Sequence, residues 1–223
     1  MKRYLVMMVL AAAAVLTSCV KGESLNDDDY VGGREGAANS QARDYMMAIA
    51  DDLTAGMLDE LELALSINER GAGRSSHFTV GGSLTTPGSS WTVKAQDSPF
   101  YQLSIRCSGE NSWNMDYSGD FVLVSEENAY PTRVALTASR YSHEDGEGWT
   151  VTLDGSREER LGYTCTFGTG SLQYVNTRGA GASGWNRMFG DLDMSVFKDG
   201  KEVDVCCLSF EGAPSQATFL RGL

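Results

Sequence analysis

The sequence predicts a mainly β protein, an antiparallel β-sandwich or barrel-like meander of about a dozen short strands preceded by one N-terminal amphipathic helix. Three observations predict it. Apolar residues recur every three or four positions between Ala42 and Asn68, and every second position from Phe78 onward. Glycine-bearing turn dipeptides punctuate the second region at hairpin spacing.

In the first region Tyr45, Met46, Ile49, Leu53, Met57, Leu61 and Leu65 fall on one stripe of a helix, the pattern of an element that buries one side. Asp44, Asp51, Asp52, Asp59, Glu60 and Glu62 supply the wet side. Asn39 or Ser40 is placed to cap the start, and Gly71 to stop the end in a left-handed conformation. The helical unit is therefore assigned to residues 37–70, with the stripe packed on the domain's own sheet. An acidic polar face disfavours an anionic lipid surface as its partner.

Beyond it, Tyr101, Leu103, Ile105 and Cys107 share one strand face, as do Leu161, Tyr163, Cys165 and Phe167. Shorter alternating runs lie at Phe78–Val80, Trp91–Val93, Trp113–Tyr117, Val134–Ala138, Trp149–Leu153, Leu172–Tyr174 and Ala217–Phe219. Such alternation marks antiparallel strands with one face buried and one wet. Turns are expected at Pro87-Gly88, Ser118-Gly119, Asp154-Gly155, Gly168-Thr169-Gly170 and Asp199-Gly200. Val203–Phe210 is apolar on both faces and reads as a covered strand. Trp91-Thr92-Val93 and Trp149-Thr150-Val151 are each followed by a cysteine, Cys107 and Cys165, at the same interval, an echo compatible with two copies of one sheet unit. The β-rich unit with its helix spans residues 37–223 as a single domain.

The first residues have a different character. Lys2 and Arg3 precede the apolar run Tyr4–Leu16, which is too short to cross a bilayer, and Leu16-Thr17-Ser18-Cys19 closes it. This segment resembles the lipobox signal peptide of bacterial lipoproteins, of the Bacteroidota type. The resemblance implies diacylglycerol on the Cys19 sulfur, cleavage after residue 18, and acylation of the new amino group. The partner so implied is a membrane, reached through acyl chains on Cys19, and more than one chain makes such anchoring stable. Val20 stands where an Asp would retain some lipoproteins in the inner membrane, so the resemblance implies the outer membrane. Residues 19–36, with Asn26-Asp27-Asp28-Asp29, read as a flexible acidic tether.

Charge narrows the partners. The formal charge is −12. Loss of Lys2 and Arg3 leaves 16 basic against 30 acidic residues, −14, and a surface so negative repels nucleic acid.

No catalytic residue is assigned. His77 and His143 belong to no metal spacing and there is no CxxC pair, so no metal or cofactor is expected. Ser183 lacks the flanking glycine pattern of a nucleophile elbow, and His143–Gly148 reads as an exposed turn. Carboxylate pairs such as Asp116 with Asp120, or Asp191 with Asp193, carry little information in so acidic a chain. Cys107, Cys165, Cys206 and Cys207 are expected as buried thiols, with a Cys107–Cys165 disulfide the alternative, and Cys206 and Cys207 on opposite faces of one strand.

The expected function is a non-enzymatic binding or structural module at the cell envelope. One alternative is a carrier of a small apolar ligand in a lipocalin-like cavity lined by Leu103, Ile105 and Tyr163; a hydrolase is the least favoured. Another is glycan binding, because flat rings stack on sugar faces while polar neighbours read hydroxyls. Its candidate residues are Trp113, Asn114, Asp116 and Tyr117 in one platform and Trp185, Asn186 and Arg187 in a second.

Overall fold

A computed structural model describes residues 34–70, 78–93, 102–121, 130–144, 146–177 and 185–222. Cys19, the apolar run before it and the tether up to residue 33 lie outside the described residues, as do Gly71, His77, Tyr101 and Ser183.

The apolar stripe does form a helix, in three consecutive pieces. These are α1 (Arg34–Ala48), a π-helical turn over Ile49–Ala55, and α2 (Gly56–Glu69). The seven expected stripe residues are all buried, none more than 4% exposed, and Ala50, Leu58 and Ala64 join them. Buried positions thus come as adjacent pairs (45–46, 49–50, 57–58, 64–65), so the sheet covers a broader arc of the helix than one row of side chains. Asp44, Asp51, Asp52, Asp59 and Glu62 are exposed, as their charge requires, whereas Glu60 is buried.

The start differs from expectation. The helix begins at Arg34, and Asn39 and Ser40 sit inside α1 rather than at a cap. Their modest interior cost, roughly 0.5 kcal/mol each, does not stop a helix that continues through Ala37 and Ala38. The π turn has local causes too. The Thr54 hydroxyl donates to the Ile49 carbonyl at 3.1 Å and the Tyr174 hydroxyl donates to the Ala50 carbonyl at 2.9 Å. Side-chain donors therefore occupy carbonyls that an α-helical ladder would use.

The rest is one antiparallel meander. Its strands are β1 (Phe78–Gly81), β2 (Ser90–Val93), β3 (Leu103–Gly109), β4 (Ser112–Phe121), β5 (Tyr130–His143), β6 (Gly146–Glu158), β7 (Tyr163–Thr177), β8 (Arg187–Lys198), β9 (Lys201–Gly212) and β10 (Thr218–Arg221). Each pairs with the next, in the order β1 to β10. The Asp199-Gly200 turn forms as expected, both residues with positive φ (50° and 78°), which suits a two-residue hairpin.

Among the described residues there are ten strands rather than a dozen, and several are long, because three expected turns lie inside strands. Ser118-Gly119 is within β4, Asp154-Gly155 within β6 and Gly168-Thr169-Gly170 within β7, where the register shifts instead of reversing. At Gly155 the cause is packing: an added Cβ would lie 2.3 Å from Cε2 of Phe167 and 3.0 Å from the Arg133 carbonyl oxygen. Leu161 also departs from expectation. It is 75% exposed with φ +60°, in the 3-10 turn before β7, and so does not share the face of Tyr163, Cys165 and Phe167. The echo of Trp91 and Trp149 is not a repeat, since Trp91 pairs with Ile105 and Trp149 with Tyr174, at unequal distances along the hairpins.

One face of the sheet packs on the helix. Trp113, Met115 and Tyr117 of β4, Val134, Leu136 and Ala138 of β5, Trp149, Val151 and Leu153 of β6, and Leu192, Met194 and Val196 of β8 belong to one buried cluster with the helix side chains. Full burial of each large apolar side chain contributes about 1.5–3 kcal/mol. The opposite, outer face carries Asn114, Asp116, Arg133, Ala135, Thr137, Thr152 and Asp154, all exposed. In β9, Cys206, Cys207 and Leu208 are consecutive and buried, so that stretch is covered on both faces.

Candidate functional site

Alternation along β4 decides the first expected platform. Trp113 and Tyr117 point to the helix side, 3% and 2% exposed, while Asn114 and Asp116 point outward. The four do not meet on one surface. Asn114 instead accepts a hydrogen bond from the Thr137 hydroxyl across the strand pair (3.3 Å).

The tryptophans share another task. Trp91 Nε1 donates to the Gly82 carbonyl (2.7 Å) and Trp113 Nε1 to the Leu84 carbonyl (3.0 Å), holding the β1–β2 loop. Trp149 Nε1 donates to Glu62 (3.1 Å) and Trp185 Nε1 to Asp59 (3.0 Å), holding α2. Asn68 Oδ1, near the end of α2, accepts from the Leu84 amide (3.1 Å) and joins loop to helix. Trp113 and Trp149 meet edge to face at 5.5 Å, with the Arg140 guanidinium 6.0 and 5.1 Å from their ring centres.

In the second platform Trp185, Asn186 and Arg187 are all half-buried. Trp185 lies edge-on to Tyr174 at 6.2 Å, and Asp59, its partner, has its carboxyl raised by burial while the indole N–H opposes the shift. Arg187 turns to a different ring, its guanidinium 5.3 Å from the centre of Phe189.

That contact belongs to a ledge on the outer face that the tryptophan pattern does not indicate. Tyr141 and His143 of β5 and Phe189 of β8 adjoin in series, with ring centres 6.2 Å apart at right angles and then 6.1 Å apart and nearly parallel (22°). Tyr141 lies over Gly148: a Cβ there would be 2.7 Å from Cε1 and Cζ of the ring, so glycine is the residue that lets the ring lie against the strand. The Tyr141 hydroxyl donates to Gln173 Oε1 (3.4 Å). On the same face Val175, opposite Gly148 and Arg187 in register, is fully buried yet stands outside the helix-facing cluster. His143, expected in an exposed turn, thus sits at the end of β5 within this ledge. A signal existed in the sequence: Tyr141 and His143 have the spacing of one strand face, on the parity opposite to Leu136 and Ala138.

Farther along the outer face lies an open groove of about 520 Å3, its outward side chains Asp116, Ser118, Arg133, Ala135, Asp154 and Thr166. A smaller hollow of about 200 Å3 adjoins it and shares Asp154 and Thr166, adding Asp193 and Ser195. Small residues leave these two spaces, and together they are lined by three carboxylates (Asp116, Asp154 and Asp193) and the Arg133 guanidinium. Asp191 and Asp193 are exposed on this face.

A second polar group is internal. Arg157 Nε is 3.2 Å from Glu159 Oε1, the Tyr45 hydroxyl donates to the same oxygen (3.4 Å), and the guanidinium lies 5.8 Å from the Tyr45 ring centre. Burial raises the Glu159 carboxyl and Arg157 opposes it. The neighbouring Cys165 thiol is pushed up to about 12, chiefly by burial. This arrangement fastens α1 to the β6–β7 end of the sheet.

All four described cysteines are buried and free. Burial likewise takes Cys206 and Cys207 up to about 12, so their thiols stay protonated and poor nucleophiles. No cluster of three or more His, Cys, Asp or Glu able to hold a metal occurs among the described residues. No helix among them is long and apolar enough to cross a membrane. Compared with protein-family models, curated proteins and solved structures, the chain matches none.

Proposed function

We propose that the protein is a lipid-anchored component of the bacterial cell envelope, held at the outer membrane by acyl chains on Cys19, whose β-rich domain is a non-enzymatic binding module working through the outer face of its sheet. The observation that carries the binding part is the position of the helix. Leu103, Ile105 and Tyr163, the residues that would line a carrier cavity, are buried in the same cluster as Ile49, Leu53, Met57 and Leu61. The chain's own helix stands where an apolar ligand would have to go, and the outer face is left to partners. We further read the sheet as barrel-like, wrapped about the helix. The β1–β2 loop, β6, β7, β9 and β10 all reach it, from the Leu84–Asn68 contact to the packing of α1 on β9 and β10.

The anchor is supported by Leu16-Thr17-Ser18-Cys19 and the apolar run before it. Expression in a bacterium with an alkyne analogue of palmitate tests it directly. The intact chain is expected to take up label and sediment with outer membranes, and Cys19→Ala to do neither. An unlabelled wild type, or a Cys19→Ala form that is cleaved and sediments like the wild type, would overturn the proposal.

A further inference from the structure

We propose that the Tyr141–His143–Phe189 ledge binds a neutral saccharide, with Arg187 and Gln173 reading hydroxyl groups at its rim. This deepens the binding-module reading and rests on it. The ring chemistry comes first. The Tyr141 ring lies over the Gly148 backbone, and Tyr141, His143 and Phe189 are all half-buried, each keeping part of its surface exposed. Pyranose rings offer patches of C–H groups that pack on such faces, and their hydroxyls need donors and acceptors nearby. Gln173 supplies both and Arg187 supplies donors, each half-exposed on the same face.

The ledge also stands out from its surroundings. Neighbouring outward positions along β5 and β6 are Thr137, Ser139, Thr150 and Thr152, small and polar, whereas three rings gather at one end of this face, where outward Val175 is buried. Electrostatics narrows the ligand. A chain of formal charge −12 disfavours phosphate-bearing ligands such as nucleotides, which also stack on rings, and leaves a neutral one as the better match.

The test is native affinity electrophoresis of the full chain, in detergent, through gels containing β-glucan, xylan, mannan or galactan. Retardation by at least one polysaccharide is expected. Tyr141→Ala and Phe189→Ala are each expected to weaken it by about tenfold or more, the scale on which truncated aromatic anchors act. Tyr141→Phe, which keeps the ring, should stay within about twofold of the wild type, and Asp193→Ala in the distant hollow should change nothing. Should Tyr141→Ala lose its cooperative thermal transition, Phe189→Ala and Arg187→Ala decide the matter. Absence of retardation in every gel, or equal retardation of wild type and ring variants, overturns the proposal. Because the assay is independent of Cys19, its failure leaves the anchored-module reading standing, and failure of labelling at Cys19 leaves this site standing.

Discussion

Gly155 offers the sharpest test of how the sheet packs. Its φ is not in the left-handed region, so alanine is conformationally allowed and would by itself stabilise by about 0.4–1 kcal/mol through the unfolded chain. The native surroundings oppose this. The new methyl would stand 2.3 and 2.8 Å from Cε2 and Cζ of Phe167 and 3.0 Å from the Arg133 carbonyl. Phe167 is 3% exposed, so its ring cannot swing into solvent, and the carbonyl belongs to the neighbouring strand. Overpacking of this kind costs about 1–3 kcal/mol, which leaves Gly155→Ala less stable by roughly 1–2 kcal/mol. For a domain of this size that is a fall in Tm of roughly 2–8 °C, measurable by calorimetry or by urea unfolding at constant m. Phe167→Leu shortens the group in the way, so the double variant should cost less than the two single changes together, by about 0.5 kcal/mol or more. A Gly155→Ala protein as stable as the wild type, or strictly additive effects, would refute the placement of Gly155 beneath the Phe167 ring and with it the reading of Asp154-Gly155 as strand interior.

Two further outcomes are expected. With four buried, free thiols, the chain should show the same intact mass with and without reductant, and the described cysteines should react with iodoacetamide only after unfolding; a mass lower by two hydrogens would reveal a bridge. Asp51 and Asp59 reach solvent but are partly desolvated by the chain around them, and the Glu159 side chain is buried, so all three carboxyls are raised. The native state therefore holds their protons more tightly than the unfolded chain does. Their contribution to stability is present below the ordinary carboxylate range and is lost as pH rises through the raised folded values. Urea midpoints should accordingly fall as pH rises from the ordinary carboxylate range through the raised folded values, and Asp51→Asn should flatten the slope; a midpoint that climbs as pH rises through that range would contradict the assignment.

The sequence was most legible where one physical rule acts alone. Period-two runs located eight of the ten strands, because those have one dry and one wet face; β9 was read from a run apolar on both faces, β8 was not singled out, and the period-three-to-four run located the helix. Asp199-Gly200 was legible because only residues tolerant of positive φ suit that hairpin. Glycine was misleading where its reason is space rather than backbone conformation. Gly155 lies opposite the inward Phe167 ring and Gly119 beside the Tyr117 hydroxyl two residues back, and a lone sequence does not say which neighbour a missing Cβ makes room for. The helix start was obscured in a similar way: Asn39 and Ser40 have capping chemistry, but a cap forms only if the helix begins there. The site was the least legible part. Local composition grouped Trp113 with Asn114 and Asp116, whereas strand parity sends the ring inward and its polar neighbours outward. The ledge joins Tyr141 of β5 to Phe189 of β8 across two intervening strands, a juxtaposition that exists only after the meander is assembled.

The same parity explains why four tryptophans set in polar sequence need not be ligand residues. A buried indole carries an N–H that must find an acceptor or lose the hydrogen bonds it made in water, at about 1–3 kcal/mol. The inner sheet face has few acceptors, since its carbonyls are engaged in the ladder. The acceptors used are carbonyls of the irregular loop at Gly82 and Leu84 and carboxylates of α2 at Asp59 and Glu62. Trp91, Trp113 and Trp149 therefore bury their apolar bodies in the sheet, the half-buried Trp185 packs edge-on to Tyr174 just before β8, and each spends its one donor on a separate piece of chain, so that every indole becomes a tie between elements that the sheet alone does not join. Asn, Asp and Gly beside those tryptophans then follow from strand alternation and turn chemistry. Rings on the outer parity of their strands, Tyr141 and His143 above all, are the ones positioned to meet something outside the core.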